Sequence, residues 1–368
     1  MEKITFLKKA IFFTLLLSVC LLYSQERIAV IQDSKVLLLD NETGAIIDPS
    51  FILLGSGTPK GIIQVNEEIW ISYQLDDKIE RYSIEGVLIG SINSGLDNIR
   101  GLSVINNSEV WVTNDGTDNG APGSALVRFD FSGNNLGFIP TRPESESPFD
   151  VIDNGAGEVY ISYITTDNIE RRDYTGSFIG NIVEFGVVNF IQQLEVEEPG
   201  ILLAAVFSDD AGSGNSKGLY RFSIADGSIL DYWNLGNLRG VAKLGNGEIL
   251  FSSGAGVFRL DPNTGTDVMI SEGSAQYFGR LDLSIAGISD FNDHNFKFYP
   301  NPTTEIFILE HTASISDVTI TNLLGQNIIH LKPNSPKVEL NLADFPNGIY
   351  LVTVKSNQNT KTIKVIKQ

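Results

Sequence analysis

Short runs of alternating apolar and polar residues, separated by glycine-containing turns, recur along most of the chain. One type of run begins with glutamate followed by isoleucine or valine. Its copies are residues 68–73, 109–113, 158–163 and 248–252. Alternation with a period of two predicts β-strands that turn one face toward a core.

A second type of strand follows and centres on arginine beside an aromatic or aliphatic residue. Its copies are 79–82, 126–130, 169–173, 219–222 and 257–261. A glycine turn leads to a third strand, and a further apolar strand precedes each pair. The repeating unit is therefore four strands in about 40 to 50 residues, a period typical of a β-propeller blade.

Strands of the arginine type start near residues 36, 79, 126, 169, 219 and 257, which predicts six blades. The first unit lacks its leading strand, whereas a spare strand, 276–283, follows the sixth. We expect the spare strand to complete the first blade, because ring closure removes exposed sheet edges. The expected fold class is thus all-β: a six-bladed β-propeller closed by a C-terminal strand. The alternative is an open sandwich of unrelated hairpins.

This blade period and strand order, over about residues 25–288, resemble six-bladed NHL-like and lactonase-like propellers. The resemblance implies architecture only, because propellers carry many activities.

The N-terminus has the pattern of a secretory signal peptide. Lys3, Lys8 and Lys9 precede an apolar run at 10–22, and Ser24 supplies a small residue for cleavage. We expect residues 1–24 to be removed, which leaves no transmembrane span in the mature protein. The alternatives are a retained helix and a lipoprotein signal at Cys20, the only cysteine.

The formal net charge of −19 argues against nucleic acid and anionic membrane surfaces as partners, because both require clustered lysine and arginine. The three histidines, His294, His311 and His330, all lie beyond residue 288. Catalysis by a Ser-His or Cys-His pair is therefore excluded in the propeller. No cofactor is assigned. If the propeller holds a metal, the ligands must be oxygen atoms, which favours calcium.

Two sets of loops are expected to meet on one face of the propeller channel. The first set joins the glutamate-type strands to the arginine-type strands and is rich in aspartate. The second set enters the innermost strands, where two segments share the pattern Asn-(Ile or Leu)-Arg-Gly. The candidate ligand-binding residues are Asp77, Asn114, Asp115, Asp118, Asp167, Asp209 and Asp210 from the first set, with Arg100 and Arg239 from the second. Turn formation alone also selects aspartate and asparagine.

These residues suggest a calcium ion, a sugar or a carboxylated compound as ligand. The predicted function is a non-enzymatic module that binds an extracellular ligand, glycan or protein. The alternative is a metal-dependent hydrolase or lyase, lactonase-like or active on glycans, that uses the same carboxylates. No catalytic residues are assigned to it.

A polar linker is expected at 289–295, before a separate small Ig-like β-sandwich at 296–368. Four sequence features occur there in order. They are Tyr299-Pro300-Asn301-Pro302, Gly325 within 322–326, Gly348 and Tyr350 within 342–350, and Lys364 within the lysine-rich strand 361–367.

Together these features resemble the type A C-terminal sorting domain of the type IX secretion system of Bacteroidetes. The resemblance implies Sec export to the periplasm, followed by recognition of the tail by the outer-membrane translocon. The expected location is the medium or the outer-membrane surface. The alternative for the tail is a carbohydrate-binding sandwich.

Overall fold

The computed structural model describes residues 26–210, 212–283, 297–322, 326–356 and 359–367. The expected signal peptide, 1–24, and the expected linker, 289–295, lie outside the described residues. Contacts between residues divide the chain into two units, 1–283 and 284–368. Each unit is described by itself.

The described part of the first unit forms six four-stranded antiparallel sheets. Its strands are β1 (Glu26–Gln32), β2 (Lys35–Asp40), β3 (Ile46–Leu53), β4 (Pro59–Val65), β5 (Glu68–Tyr73), β6 (Lys78–Ser83), β7 (Leu88–Ile92), β8 (Leu102–Ile105), β9 (Glu109–Asn114), β10 (Ala125–Phe129), β11 (Asn135–Pro140), β12 (Pro148–Asp153), β13 (Glu158–Tyr163), β14 (Ile169–Asp173), β15 (Phe178–Val183), β16 (Asn189–Glu198), β17 (Ile201–Ser208), β18 (Gly218–Ser223), β19 (Ile229–Trp233), β20 (Leu238–Lys243), β21 (Ile249–Ser253), β22 (Gly256–Asp261), β23 (Thr266–Glu272) and β24 (Ala275–Asp282). The fold is all-β and propeller-like.

Five of the sheets are built from four consecutive strands, beginning with β4, β8, β12, β16 and β20. The remaining sheet has the order β24-β1-β2-β3, so it joins the two ends of the unit. Strand β24 pairs with β1 from Glu26 opposite Asp282 to Gln32 opposite Ala275.

The repeated glutamate and arginine of the sequence pattern are cross-strand partners. In the sheet that begins with β4, the guanidinium of Arg81 contacts Glu68 at 2.7 Å and lies over the ring of Trp70, 5.3 Å from its centroid. The equivalent pairs elsewhere are Arg128–Glu109, Arg171–Glu158 and Arg259–Glu248. Trp70 itself is fully buried. The pattern therefore marks a pair of neighbouring strands joined by a cross-strand ion pair, which in this sheet covers a buried aromatic side chain.

Buried hydroxyl groups connect neighbouring sheets. Ser162 in β13 accepts a hydrogen bond from the Asp150 amide at 3.0 Å and donates one to the Gln192 carbonyl of the next sheet at 2.8 Å. The same position in three other sheets donates to a backbone carbonyl of the neighbouring sheet: Ser72 to Arg100, Thr113 to Phe149 and Ser252 to Gln276. We call Ser72, Thr113, Ser162 and Ser252 the inter-sheet hydroxyls. All four are fully buried.

The innermost strands β4, β8, β12, β16, β20 and β24 approach one another closely. Each contacts the next in this series, and β24 contacts β4. Glycines permit the approach: a Cβ added to Gly101 would lie 2.3 Å from Oδ1 of Asp150, and one added to Gly279 would lie 2.2 Å from the Ile62 carbonyl oxygen. The entrances to these strands consequently lie around a common channel.

The described part of the second unit is a single six-stranded sheet arrangement. Its strands are β25 (Lys297–Tyr299), β26 (Ile306–Asn322), β27 (Asn327–Leu331), β28 (Ser335–Asn341), β29 (Gly348–Ser356) and β30 (Asn359–Lys367). The long strand β26 pairs with β25, β27, β28 and β29, and β30 pairs with β29. Its core includes fully buried Phe307, Val318 and Val352. The Ig-like class stays a prediction.

We predict that Ser162→Ala lowers the free energy of unfolding by about 1–3 kcal/mol, because the Gln192 carbonyl and the Asp150 amide lose a buried partner. Urea unfolding measures the effect. Ser228→Ala, which removes an exposed hydroxyl bound to Asp226, is the matched control and should change the free energy by less than about 0.5 kcal/mol. Equal losses in the two variants would contradict the structural role of the inter-sheet hydroxyls.

Candidate functional site

A cavity of about 430 Å³ opens where the innermost strands begin. Each of the six sheets contributes one residue to its lining at the entrance of its innermost strand. These six residues, which we call the entry positions, are Lys60, Arg100, Phe149, Gln192, Arg239 and Gln276. We call the cavity the channel pocket. In three of the six sheets the entry position can be recognised in the sequence, because it is a lysine or arginine directly before a glycine.

Lys60 is nearly buried, with 7% of its surface exposed. Its Nζ donates to Oε1 of Gln192 at 2.9 Å and to Oε1 of Gln276 at 3.0 Å, and it lies over the Phe149 and Tyr277 rings. Burial lowers the pKa of Lys60 well below its usual value, and repulsion from two nearby arginines lowers it further. Within the described residues, no carboxylate forms an ion pair with it.

Arg239 also lacks a carboxylate partner in the described part of the chain. Its Nη1 donates to Oγ of Ser274 at 2.7 Å and to the Ala275 carbonyl at 3.3 Å. Every other arginine of the chain forms an ion pair with aspartate or glutamate. Arg239 and Lys60 are therefore two basic side chains of one pocket that form no ion pair with a carboxylate of the described residues.

Arg100 contributes a charge that is already neutralised. Its Nη2 contacts Oδ2 of Asp115 at 3.2 Å, and its Nη1 donates to the Pro148 carbonyl at 3.1 Å. Asp115 also accepts a hydrogen bond from Oγ of Ser147 at 2.6 Å. Of the predicted ligand-binding residues, Arg100 and Arg239 thus line the pocket, and Asp115 contacts it through Arg100.

Asn114 organises its own loop. The side chain is fully buried, and its Oδ1 accepts a hydrogen bond from the Asp97 amide at 2.7 Å. Its Nδ2 donates to the carbonyls of Gly116 and Gly123 at 3.0 and 2.7 Å. Both polar atoms are consequently occupied by the backbone.

Asp77 and Asp167 stabilise turns. Both have positive φ angles, +52° and +56°, a conformation that aspartate tolerates better than most residues. Oδ1 of Asp77 accepts from the Asn98 amide at 2.8 Å, and Oδ1 of Asp167 accepts from the Phe190 amide at 2.7 Å. The structure places neither among the residues that line the channel pocket.

The other predicted aspartates also lie outside the pocket lining. Asp209 accepts from the Lys217 amide at 2.9 Å, and Asp210 accepts from the amide of Ser213 at 2.6 Å. Asp118 begins an exposed 3-10 turn. Over residues 26–210, 212–283 and the described parts of the tail, no three His, Cys, Asp or Glu side chains are grouped as metal ligands.

Three phenylalanines form one wall of the pocket. The Phe149 and Phe190 rings meet edge to face with centroids 5.6 Å apart, and Phe207 lies 5.4 Å from Phe190. The wall was not predicted from the sequence, because an apolar residue at the start of a strand is indistinguishable from a core residue. Phe149 occupies the same position in the repeat as Lys60, Arg100 and Arg239. An alignment of the repeats would therefore have identified Phe149 as a pocket residue.

A second layer of side chains fills the channel beside the pocket. Asp150 is 3% exposed, and its Oδ2 accepts from the Leu194 amide at 2.8 Å. Burial raises the pKa of Asp150 to about 7, although hydrogen bonds and the charge of Lys60 oppose the rise. Next to it, the buried hydroxyl of Tyr277 has no hydrogen-bond partner in the described residues. These groups line a smaller cavity of about 120 Å³.

The sorting-motif residues of the second unit are brought together from distant positions. Oδ1 of Asn301, between Pro300 and Pro302, accepts from the Ile366 amide at 2.8 Å, which ties the Tyr299–Pro302 turn to the last strand. Nζ of Lys367 donates to the carbonyls of Ala343 and Phe345.

Tyr350 completes the arrangement by donating to the Pro346 carbonyl at 2.7 Å, two residues before Gly348. The tail motifs are therefore linked through backbone groups. Gly325 lies outside the described residues, as does the side chain of Lys364.

Residues 297–368 match the family model described as a secretion system C-terminal sorting domain. The chain carries a C-terminal sorting domain. This domain indicates export by the type IX secretion system to the cell surface or the medium. A search of curated proteins found no match.

Solved structures resemble the fold. A chain of the nidogen/laminin complex is 13% identical with a TM-score of 0.56, over 69% of this chain and 98% of that chain. A Bacteroides caccae protein of unknown function is 14% identical with a TM-score of 0.52, over 70% and 99%. PorZ of Porphyromonas gingivalis, an essential bacterial surface component of the type IX secretion system, is 13% identical with a TM-score of 0.45, over 91% and 62%. The first two likenesses show a propeller-like fold alone.

The described residues include no helix of the length and apolar character that a membrane span requires.

We predict that Asp150→Asn changes how stability depends on pH. Because the folded pKa of about 7 exceeds the usual 3.8, the protonated carboxyl favours folding below pH 4, and this contribution is lost as the pH rises through 7. The difference in unfolding free energy between wild type and variant should therefore change by up to about 1.4 kcal/mol per pH unit in this interval. Urea unfolding from pH 4 to 8 measures it. Parallel profiles would contradict the prediction, and exposed Asp118→Asn serves as the control.

Proposed function

We propose that the protein is an exported, non-enzymatic binding module whose channel pocket takes an anionic ligand. The observation that carries the proposal is the pair of cations, Lys60 and Arg239, that face one cavity without a carboxylate partner. Burying unpaired charge is unfavourable, and such arrangements concentrate at functional sites. An anion bound between these two groups would compensate both charges.

The overall charge of the protein strengthens this interpretation. A chain with a net charge of −19 has many carboxylates available, and ten of its arginines are paired with them. Arg239 is the exception among the arginines, and Lys60 in the same pocket also forms no ion pair within the described residues. The cavity also has the size and the mixed apolar and polar lining typical of small-molecule sites.

We further propose that the six sheets are the blades of a closed propeller spanning residues 25–288, with β24 as the closing strand. The pairing of β24 with β1 and the cycle of contacts between innermost strands support this. The NHL-like or lactonase-like assignment and a sorting domain starting at residue 296 belong to the same proposal.

The proposed route begins with Sec export, cleavage after Ser24 and recognition of the tail by the type IX translocon. The mature protein would then reside on the outer-membrane surface or in the medium. A metal-dependent hydrolase or lyase remains the alternative hypothesis, and calcium remains its expected ion. No specific contact in the described residues favours it over binding.

We predict that at least one organic or inorganic anion stabilises the protein through Arg239. Thermal unfolding is measured at constant ionic strength with sulfate, phosphate, acetate, D-glucuronate and 3-phenylpropionate. A ligand at one hundred times its Kd adds about 2.7 kcal/mol of stability. Arg239→Gln should abolish the shift, because it removes a charge that meets the anion.

Arg259→Gln is the matched control, since this arginine is paired with Glu248 outside the pocket and the charge change is the same. It should retain the wild-type response. The proposal fails if no anion raises the melting temperature of the wild type, or if both variants respond as the wild type does.

We predict that deletion of residues 296–368 stops export at the periplasm, because the sorting domain is absent while the signal peptide is intact. Cell fractionation and surface labelling measure the location. The full-length Arg259→Gln variant, which retains the tail, is the control and should reach the surface or the medium. Normal surface display of the deletion variant would contradict the prediction.

A further inference from the structure

We infer that the ligand of the channel pocket is a carboxylate attached to an aromatic or bulky apolar body, and not a polyhydroxylated sugar acid. This inference rests on the proposed anion site. It adds the chemical class of the ligand, which follows from the supply of hydrogen-bond donors, the scarcity of acceptors and the phenylalanine wall.

The donors are oriented by Lys60. A lysine ammonium only donates hydrogen bonds, so the amide oxygens of Gln192 and Gln276 must face its Nζ. Their NH₂ groups are then available, because neither has a hydrogen-bond partner among the described residues. With the free nitrogens of Arg239, the pocket presents a surface of donors that matches the acceptors of a carboxylate.

Acceptors are few. Asp33 is the only carboxylate among the lining residues, and because its Oδ1 accepts from the Ser274 amide at 3.0 Å, its Oδ2 is the carboxylate oxygen left for a ligand. The oxygens of Gln192 and Gln276 are occupied by Lys60. A sugar acid brings several hydroxyl groups that each donate a hydrogen bond, and a buried donor without a partner weakens binding. The pocket therefore disfavours a polyhydroxylated ligand.

The apolar wall supplies the complementary half of the site. Phe149, Phe190 and Phe207 are in sequential contact, and Leu75 and Ile164 also line the cavity. Aromatic rings gain additional stability from edge-to-face contacts with other rings. A planar apolar body can therefore lie against this wall while its carboxylate contacts the donors.

The backbone of Phe190 is strained at this wall. Its φ angle is +60°, which is rare for a bulky side chain, and the Asp167 carboxylate holds its amide at 2.7 Å. Strained backbone conformations concentrate at functional sites. Asp167, one of the residues singled out in the sequence, thus acts as a positioning residue for an aromatic ring and not as a ligand-binding carboxylate.

Calorimetric titration of the chain without its signal peptide tests the inference. The probes are 3-phenylpropionate, its neutral amide and D-glucuronate. We expect 3-phenylpropionate to bind at least tenfold more tightly than either of the other two. A tetrapeptide that ends in phenylalanine, with a free or an amidated C-terminus, distinguishes a free acid from a chain terminus as the source of this chemistry.

Variants distinguish the contribution of the phenylalanine wall to binding from the contribution of the basic residues. Phe207→Ala should weaken binding of 3-phenylpropionate about tenfold and leave binding of sulfate unchanged, whereas Arg239→Gln should weaken both. Phe207→Leu keeps an apolar side chain and should lie between wild type and Phe207→Ala. Far-ultraviolet circular dichroism verifies that each variant is folded.

Tight D-glucuronate binding, or equal affinity of Phe207→Ala and wild type for 3-phenylpropionate, would overturn the inference while leaving the anion site intact. Failure of every anion to bind would overturn the proposed function as well. The two failures are therefore distinguishable in one set of titrations.

Discussion

The first unit depends on buried hydroxyl groups that join four of its six sheets to the next sheet. Where an inter-sheet hydroxyl is present, as at Ser162, it meets the innermost strand of its own sheet and a carbonyl of the next. A hydrogen bond in a water-free interior is costly to leave unmade, so this contact defines the spacing of adjacent sheets. Apolar packing alone would tolerate sliding between sheet faces. The hydroxyls consequently place the entry positions around one channel.

Within that channel, glycines allow the strands to approach, and larger polar side chains bind the backbone. Gly61, Gly101 and Gly240 follow the three cationic entry positions, and their lack of a Cβ lets neighbouring strands approach. Asp150 and Gln193 occupy the space by binding backbone amides of adjacent strands. The backbone near the centre is thereby satisfied, and the side chains one residue earlier are available to contact a ligand.

The candidate site also shows why an acidic surface does not imply a cation site. Aspartates such as Asp77 and Asp167 occur in loops because they accept backbone amides and tolerate positive φ angles. Their carboxylates accept hydrogen bonds from backbone amides of the first unit. The two basic residues Lys60 and Arg239 differ from these aspartates, because they line a cavity and neither forms an ion pair with its one lining carboxylate, Asp33. The pocket chemistry therefore supports the proposed binding of an anion, although the protein as a whole is acidic.

The strand period, the all-β class, the sorting tail and two pocket residues, Arg100 and Arg239, follow from the sequence alone. These are local properties, because alternation, turn residues and ordered motifs are read within a few tens of residues. Which charges are paired is decided instead by tertiary contacts. Arg100 is neutralised by Asp115, whereas Arg239 is not, although both occur in the same Asn-X-Arg-Gly pattern. Pairing depends on side chains from different sheets, and distances across a channel are not encoded in spacing along the chain.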